Sequence, residues 1–345
     1  MVNWIQPRYS KGQINRAGAA FRSGEYTVAD LSVLENWRAS HAYIINTFQA
    51  NLRRRAKDFD AIVGQRLKRR PTILDKLVRE PHMQLARMHD VAGCRIIFDS
   101  VDDLLRFREG FVRSRFQHRR MNETRDQFNY IENPKDSGYR GIHDVFKYKA
   151  SYPAGRFWDG LLIEIQYRTK IQHAWATAVE TADLLTKSRG KFSEAPDKYQ
   201  RFFSISSEIL ARLYERSNSA HSGLSADDLK GEFDSLENEC NILRLLKNAN
   251  RITPNSLRGV IRKGKNVVLT YPFEKVGDTA LYVMSFDTHK LAIKYYEEQE
   301  EQWKDRADVV LVSSEDIESV MTVFQNYFQD TRFFTRSLER AIRLI

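Results

Sequence analysis

Nothing in this chain of 345 residues approaches the run of about 18 apolar residues that a membrane-crossing helix needs. The opening stretch MVNWIQPRYSKGQ has no apolar segment of the kind a secretory signal carries. Cysteine is scarce. Cys94 falls in an apolar strand pattern and Cys240 on the apolar face of a helix, so both read as buried free thiols and no disulfide framework is expected. Together these absences point to a reducing compartment, most simply the cytoplasm, and to no membrane partner. There is no low-complexity tract and no fixed-period repeat, which excludes linkers and solenoids. With 42% hydrophobic and 29% charged residues the composition is that of a folded globular protein, and the length suits two domains.

What is abundant is positive charge. The formal net charge is +10 and the pI about 9.4, which favours polyanionic partners such as nucleotides or RNA. The excess is concentrated. One block runs from Arg53, Arg54, Arg55 and Lys57 to Arg66, Lys68, Arg69 and Arg70; a second holds Arg106, Arg108, Arg113, Arg115, His118, Arg119 and Arg120. Taken singly, each reads as a solvated helix face. Flanking a candidate carboxylate at Asp90, the two read as a phosphate-binding surface.

The periodicity predicts a long helix over 28–58, entered near Thr27 or Asp30, and a second helix over 72–78 with Pro71 in its first turn. A strand at 92–98 precedes a helix at 101–117 begun by Ser100, with Asp102 and Asp103 in its first turn. Strands at 128–132 and 143–149 bracket a glycine loop; Gly160 opens a strand at 161–168, and 169–185 is helical. Residues 201–250 are helical, with Leu229, Phe233, Leu236, Cys240 and Leu243 forming one apolar stripe for core packing or a dimer seam. After a break at 253–255 come strands at 266–271, 279–285 and 308–313 and helices at 287–303, 315–327 and 330–343. The expected organisation is a helical segment 1–60, an α/β (α+β) core 61–200 with a mixed sheet flanked by helices, a helical connector 201–250, and a second small α/β domain at 251–345. That last region has no glycine loop and no carboxylate-plus-cation group, so no chemistry is assigned to it.

Three segments carry the candidate chemistry: HDVAGCRIIF at 89–98, YIENPKDSGYRGIH at 130–143 and IEIQYRT at 163–169. Asp90 and Glu164 lie beside or within apolar strand runs. The loop between them holds Lys135, Tyr139, Arg140 and His143. Carboxylates hold Mg²⁺, cations neutralise phosphate oxygens and a ring stacks on a base, so the group suits metal-assisted phosphoryl transfer onto a nucleoside. Upstream, Arg66 and Lys68 project from a loop, while Thr72 and Lys76 lie one turn apart on a helix, an arrangement able to grip a triphosphate. Arg95, inside the apolar run CRIIF, is expected to face an anion. On the last strand, residues 162, 164, 166 and 168 share one face, three of them polar: Glu164, Gln166 and Arg168.

In order, these motifs resemble the synthetase domain of the RelA/SpoT family. They are R-x-K-x-x-x-T-I-x-x-K at 66–76, D-x-x-G-x-R-I-I at 90–97, Y-I-x-x-P-K-x-x-G-Y-R-x-x-H at 130–143, and E-I-Q-x-R-T at 164–169 followed by His173-Ala174-Trp175-Ala176. The resemblance implies a nucleotidyltransferase-like sheet and Mg²⁺-dependent transfer of pyrophosphate from ATP to a ribose 3′-hydroxyl of GDP or GTP. Carried over by position, Asp90 and Glu164 hold the metal, and Glu164 also activates the hydroxyl. Arg66, Lys68, Thr72, Lys76 and Arg95 take the ATP side; Lys135, Tyr139, Arg140, His143, Gln166 and Arg168 take the acceptor side. Long members place an HD-type hydrolase before the synthetase; with only 1–60 ahead of the core, no alarmone hydrolysis is expected here. The loop reads Asp136-Ser137-Gly138-Tyr139-Arg140-Gly141-Ile142, where guanosine-using members have Asn before Gly-Tyr and Ser-Leu before His; Asn129 stands where an Asp is usual. Some small relatives are toxins that place pyrophosphate on the 3′-CCA end of tRNA, and the basic blocks suit that acceptor as well. Residues 251–345 are then a neutralising or sensing domain open to a protein partner, and a homo-oligomer is compatible with the apolar stripe. A reading from another class is a catalytically dead regulator that binds nucleotide or RNA; the presence of Asp90, Glu164, Lys68 and Tyr139 argues against it.

Overall fold

The computed structural model describes residues 4–114, 116–121, 126–187, 196–249, 266–272, 282–303, 306–313 and 331–345. The chain starts with two helices, α1 (Lys11–Ser23) and α2 (Val28–Ala56). Each is opened by a capping box, Ser10 with Gln13 and Thr27 with Asp30, and Gly24 ends α1 in the left-handed conformation. Strand β1 (Ile62–Leu67) leads into α3 (Arg70–Arg79), with Pro71 in its first turn. Then follow β2 (Ala92–Phe98), α4 (Val101–Val112) capped by Ser100, β3 (Arg119–Arg120), β4 (Ile142–Lys147) and β5 (Leu162–Thr169).

These strands form one mixed sheet in the order β1-β2-β5-β4-β3, in which only β2 and β5 run parallel. Alternation gives the sheet two unlike faces. On one, Ala92, Cys94, Ile96 and Phe98 join Ile163, Ile165, Tyr167, Ile142 and Phe146 in a core covered by α2 and α4. On the other, register aligns Arg66, Gly93, Glu164 and Val145 in one row and Gly64, Arg95, Gln166 and His143 in the next. Every strand-borne candidate residue thus lies on the second face.

Beyond the sheet, α5 (Lys170–Lys187), α6 (Pro196–Glu215), α7 (Ala226–Cys240) and α8 (Ile242–Ala249) build a helical layer. The apolar stripe of α7 is consumed inside it: Leu229, Phe233 and Leu236 pack with Phe202 of α6. A three-stranded antiparallel sheet, β6 (Asn266–Pro272), β7 (Tyr282–Phe286) and β8 (Ala307–Ser313), carries α9 (His289–Trp303) on a small core of Val268, Ala292, Tyr296 and Val309. The last helix, α10 (Arg332–Leu344), packs instead on α5, α6 and α8 through Phe334, Leu338 and Ala341.

The mixed sheet flanked by helices is the expected fold, but several elements differ. Helix α1 and strand β1 are additions. In α1 the inward face is small, Ala17 and Gly18 beside Ile14 and Phe21, because the helix lies tight on Leu85; a Cβ on Gly18 would come within 2.7 Å of the Leu85 Cβ. Strand β1 is an edge strand broken in pattern by Gly64 and Arg66. The strand expected at 128–132 reduces to one bridge, Asn129 to Ile142. There the Asn129 side-chain oxygen accepts from the amides of Ile131 and Glu132, both at 3.3 Å, and turns the chain instead. The helix expected at 101–117 stops at Val112, and 201–250 divides into separate helices at Arg216 and Asn241, both at positive φ. Cys94 is buried as expected, whereas Cys240 is partly exposed. The break at 253–255 and the helix at 315–327 lie outside the described residues.

Candidate active site

The site begins where β1 ends. The Lys68 amide donates to the Val91 carbonyl at 2.8 Å, which brings the residue after β1 beside the residue before β2. Lys68 Nζ then donates to Asp90 Oδ2 at 2.9 Å, and Lys76 Nζ, one and a half turns into α3, reaches the same oxygen at 3.2 Å. Burial and Glu164 push the Asp90 carboxyl up, but the two lysines outweigh them and hold it below its ordinary value. Lys68 is only 7% exposed, and burial lowers its pKa despite its partner. Asp90 Oδ1 is buried with no hydrogen-bond partner among the described residues. Arg66 extends over Gly93, where a Cβ would meet its Cγ at 3.6 Å, in the same row as Glu164 two strands away. Thr72 sits half-buried one turn before Lys76. Arg95 is half-buried on the same sheet face, its Nε 3.5 Å from Gln166 Oε1. Burial and then Arg168 depress its pKa.

Across the sheet the second half centres on Glu164, 6% exposed. Gln166 Nε2 donates to its Oε1 at 2.7 Å; His143 Nδ1 lies 3.6 Å from Oε1 and His89 Nε2 lies 3.4 Å from Oε2. Burial favours protonation of Glu164, yet His143 and His89 overcome it and hold the carboxyl well below the usual range. Tyr139 Oη is 2.6 Å from His143 Nε2 and accepts from Arg168 Nε and Nη2 at 3.2 and 3.0 Å. Burial lowers the His143 pKa, but Tyr139 and Glu164 more than reverse this and raise it to about 9. Conversely, burial raises Tyr139, while Arg168 and His143 bring it down to about 8. Lys135 Nζ stands 4.5 Å over the Tyr130 ring and 5.6 Å over that of Tyr139. Lys135, Tyr139, His143, Arg168 and Trp175 line a cavity of about 640 Å³.

The glycine loop is held from behind. Gly138 has φ +87°, and a Cβ there would fall 2.9 Å from both Ser204 Cα and Ser207 Cβ of α6. That contact lets Ser207 Oγ donate to the Gly138 carbonyl at 2.6 Å and Ser204 Oγ to the Asp136 carbonyl at 2.7 Å. No other residue combines that conformation with that approach.

Of the sequence-expected residues, the structure gathers Arg66, Lys68, Lys76, Asp90, Arg95, Lys135, Tyr139, His143, Glu164, Gln166 and Arg168 around one sheet face. Arg140 is not among them. Its guanidinium is 3% exposed, pairs with Glu215 and donates to Ser217 Oγ at 2.6 Å, which ties the loop to the end of α6. His89 and Tyr130 join the site without a role assigned from sequence; the signal for His89 is its place next to Asp90, and for Tyr130 its place at the head of the 130–143 motif.

A family profile described as a region found in RelA / SpoT proteins matches residues 65–191. The GTP pyrophosphokinase YjbM of Bacillus subtilis is 33% identical over 157 residues, 44% of this chain and 68% of the relative. An uncharacterized protein of Mycobacterium tuberculosis (strain H37Rv) is 28% identical over 197 residues, 56% of this chain. The chain spans 66% of that relative's length, just under two thirds. Among solved structures, the small alarmone synthetase 1 of Bacillus subtilis bound to its product pppGpp matches with a TM-score of 0.45 and 26% identity, over 53% of this chain and 93% of that one. The motifs that converge on Asp90 and Glu164 all fall in or beside the matched stretch, and the chain belongs to the RelA/SpoT family.

Proposed function

We propose that the protein transfers pyrophosphate from ATP to the ribose 3′-hydroxyl of GDP or GTP, without hydrolysing the product. The observation that carries this reading is the division of labour around two carboxylates. Lysines crowd Asp90 on one side, and an aromatic, cationic cavity opens beside Glu164 on the other. The family relationship to a GTP pyrophosphokinase supports it.

Arg66, Lys68, Lys76 and Arg95 receive the ATP phosphates, with Thr72 beside them. Tyr139 stacks on the acceptor base with Lys135 and His143 on its phosphates, while Gln166 and Arg168 hold Glu164 and Tyr139 in place. Asp90 and Glu164 suit a divalent cation: Asp90 Oδ1 is buried and unpartnered, and Mg²⁺ needs only one or two carboxylates when phosphates complete its shell. Bound Mg²⁺ supplies neutralising charge to the phosphate oxygens. Glu164 accepts the proton of the 3′-hydroxyl. The 3′-oxygen bonds to the β-phosphorus, the bond from that phosphorus to the α–β bridging oxygen breaks, and AMP leaves. A carboxylate held so far below its usual range is a weak base but a strong hydrogen-bond acceptor, so orienting the hydroxyl is the larger part of its work.

A second reading, transfer to the 3′ end of tRNA, is favoured by one observation. Arg119, Lys147 and Lys149 are exposed at the far edge of the sheet, beside exposed Tyr152 and Phe157, a mixture that suits single-stranded RNA. The cytoplasm suits either acceptor and the free thiols. Residues 251–345 are assigned a regulatory role. The deciding assay incubates the protein with Mg²⁺, ATP labelled in its terminal phosphates, and either GDP/GTP or bulk tRNA. Label in a new guanosine nucleotide is expected; label on tRNA establishes the second reading, and no transfer to either acceptor refutes both.

A further inference from the structure

Arg38, in the first half of α2, is 2% exposed, and its environment is set by residues far along the chain. A guanidinium offers five N–H donors. Here Nε donates to the Lys68 carbonyl at 2.7 Å, and Nη1 donates to Glu300 Oε2 at 2.8 Å and to Glu35 Oε2 at 3.4 Å. Nη2 donates to Glu300 Oε1 at 3.0 Å and to the Tyr296 hydroxyl. The guanidinium carbon also lies 5.4 Å from the Tyr296 ring centre. All five donors are therefore used, and two of the four partner residues, Tyr296 and Glu300, come from α9 of the small C-terminal sheet unit.

A buried guanidinium stripped of its carboxylate is costly, because its charge and donors are left unmatched. Without α9, three of the five bonds are lost and only the Lys68 carbonyl and the longer contact to Glu35 still hold the guanidinium. That carbonyl matters because the Lys68 backbone is held on both sides, by Val91 through its amide and by Arg38 through its carbonyl. The side chain projecting from this pinned unit is the ammonium that meets Asp90.

We propose that Arg38, Glu300 and Tyr296 form a positioning device through which the C-terminal unit sets Lys68 for ATP. The inference rests on the proposed role of Lys68 toward the ATP phosphates. Glu300 and Tyr296 touch no reacting atom; they act through Arg38, and Arg38 acts through one backbone hydrogen bond. The C-terminal unit thus supports the donor half of the site.

The test uses the full chain with Glu300→Gln, Tyr296→Phe, Arg38→Lys and Lys68→Ala. Binding of a fluorescent non-hydrolysable ATP analogue, separate KM values for ATP and acceptor, kcat and the melting temperature are measured for each. Glu300→Gln and Arg38→Lys are expected to weaken analogue binding and raise KM for ATP by about 5- to 10-fold, and Tyr296→Phe by about 2-fold, with kcat and acceptor KM within about 2-fold. A merely structural contact moves the melting temperature and both KM values together, and that result overturns the device. So does unchanged or tighter ATP binding in Glu300→Gln and Arg38→Lys while Lys68→Ala loses it, which leaves the Lys68 reading standing. Normal analogue binding by Lys68→Ala instead refutes the role of Lys68, and the device with it. Tyr296→Phe removes only a hydroxyl and serves if Glu300→Gln and Arg38→Lys fold poorly: weaker binding of the ATP analogue in direct titration, at an unchanged melting temperature, supports the device, and unchanged binding overturns it.

Discussion

Asp144, on the core face of the sheet, and Asp90, just before β2 and beside the other face, are both surrounded by cations. Asp144, fully buried on the core face, receives Arg108 Nε and Nη2 at 2.9 Å each and Arg120 Nη1 at 3.1 Å. Both of its oxygens are engaged, and Arg108 is further paired with Asp126. Asp90 places both lysines on one oxygen and leaves the other without a partner. Arg168 likewise keeps a buried Nη1 with no hydrogen bond among the described residues. Buried charge has to be matched, and both oxygens of Asp144 are matched within the protein, although the Nε of Arg120 beside it has no partner among the described residues. On the second face one carboxylate oxygen and one guanidinium nitrogen are left open among the described residues; the proposed function gives the first group a cation and sets the second on the acceptor side. A charge cluster alone does not mark function; at Asp90 and Arg168 the open atoms lie on or beside the sheet face that carries the family motifs.

The contrast predicts its own tests. The largest effect is expected from Glu164→Gln or Asp90→Asn, each lowering pyrophosphate transfer by about 10³-fold, with the melting temperature within a few degrees of the parent. Equal losses of activity and stability would place these residues with Asp144. Asp144→Ala should do the reverse, costing about 3–5 kcal/mol in denaturant unfolding because Arg108 and Arg120 lose a buried partner, while the folded fraction keeps its specific activity. Next in size is Tyr139→Phe. It removes the hydroxyl shared by His143 and Arg168, and a rise of about 10-fold in acceptor KM with ATP KM unchanged is expected from steady-state kinetics.

The smallest effect is on pH dependence. His143, held at about 9 against an ordinary 6.5, contributes stability that is full below pH 6.5 and is lost as pH rises through 9. Tyr139, held at about 8 against 10, contributes stability that is full above pH 10 and is lost as pH falls through 8. Between pH 6.5 and 8 only the first contribution changes, so the melting temperature should fall across that window. His143→Asn should flatten the slope; an equally steep fall in that variant would show that other groups set it.

Much of this site was legible in local pattern. Asp90 beside an apolar run, Glu164 alternating with Gln166 and Arg168, and a Pro- and Gly-broken loop with one tyrosine are short-range signals, and the structure brings them together. Arg140 was misleading because alternation and loop chemistry do not say which way a side chain leaves a turn. The Glu215 carboxylate 75 residues later decided that. Strand β1 leaves little trace in the sequence because an edge strand with Gly64 and Arg66 in it pairs on one side only and shows little continuous hydrophobicity. In the strand expected at 128–132, the Asn129 side chain competed successfully for the backbone amides.

By itself the amino-acid order determined which chemical groups are present, on which kind of element each sits, and that strands and helices alternate into a mixed sheet. These follow from periodicity, capping and turn chemistry acting over a few residues. Only the tertiary structure decided which groups meet. The parallel register of β2 and β5 sets Gly93 opposite Glu164, α6 clasps Gly138, and α9 crosses 262 residues of chain to meet Arg38. Such pairings are chosen by the burial and charge matching of whole elements against one another, which no local stretch of sequence contains.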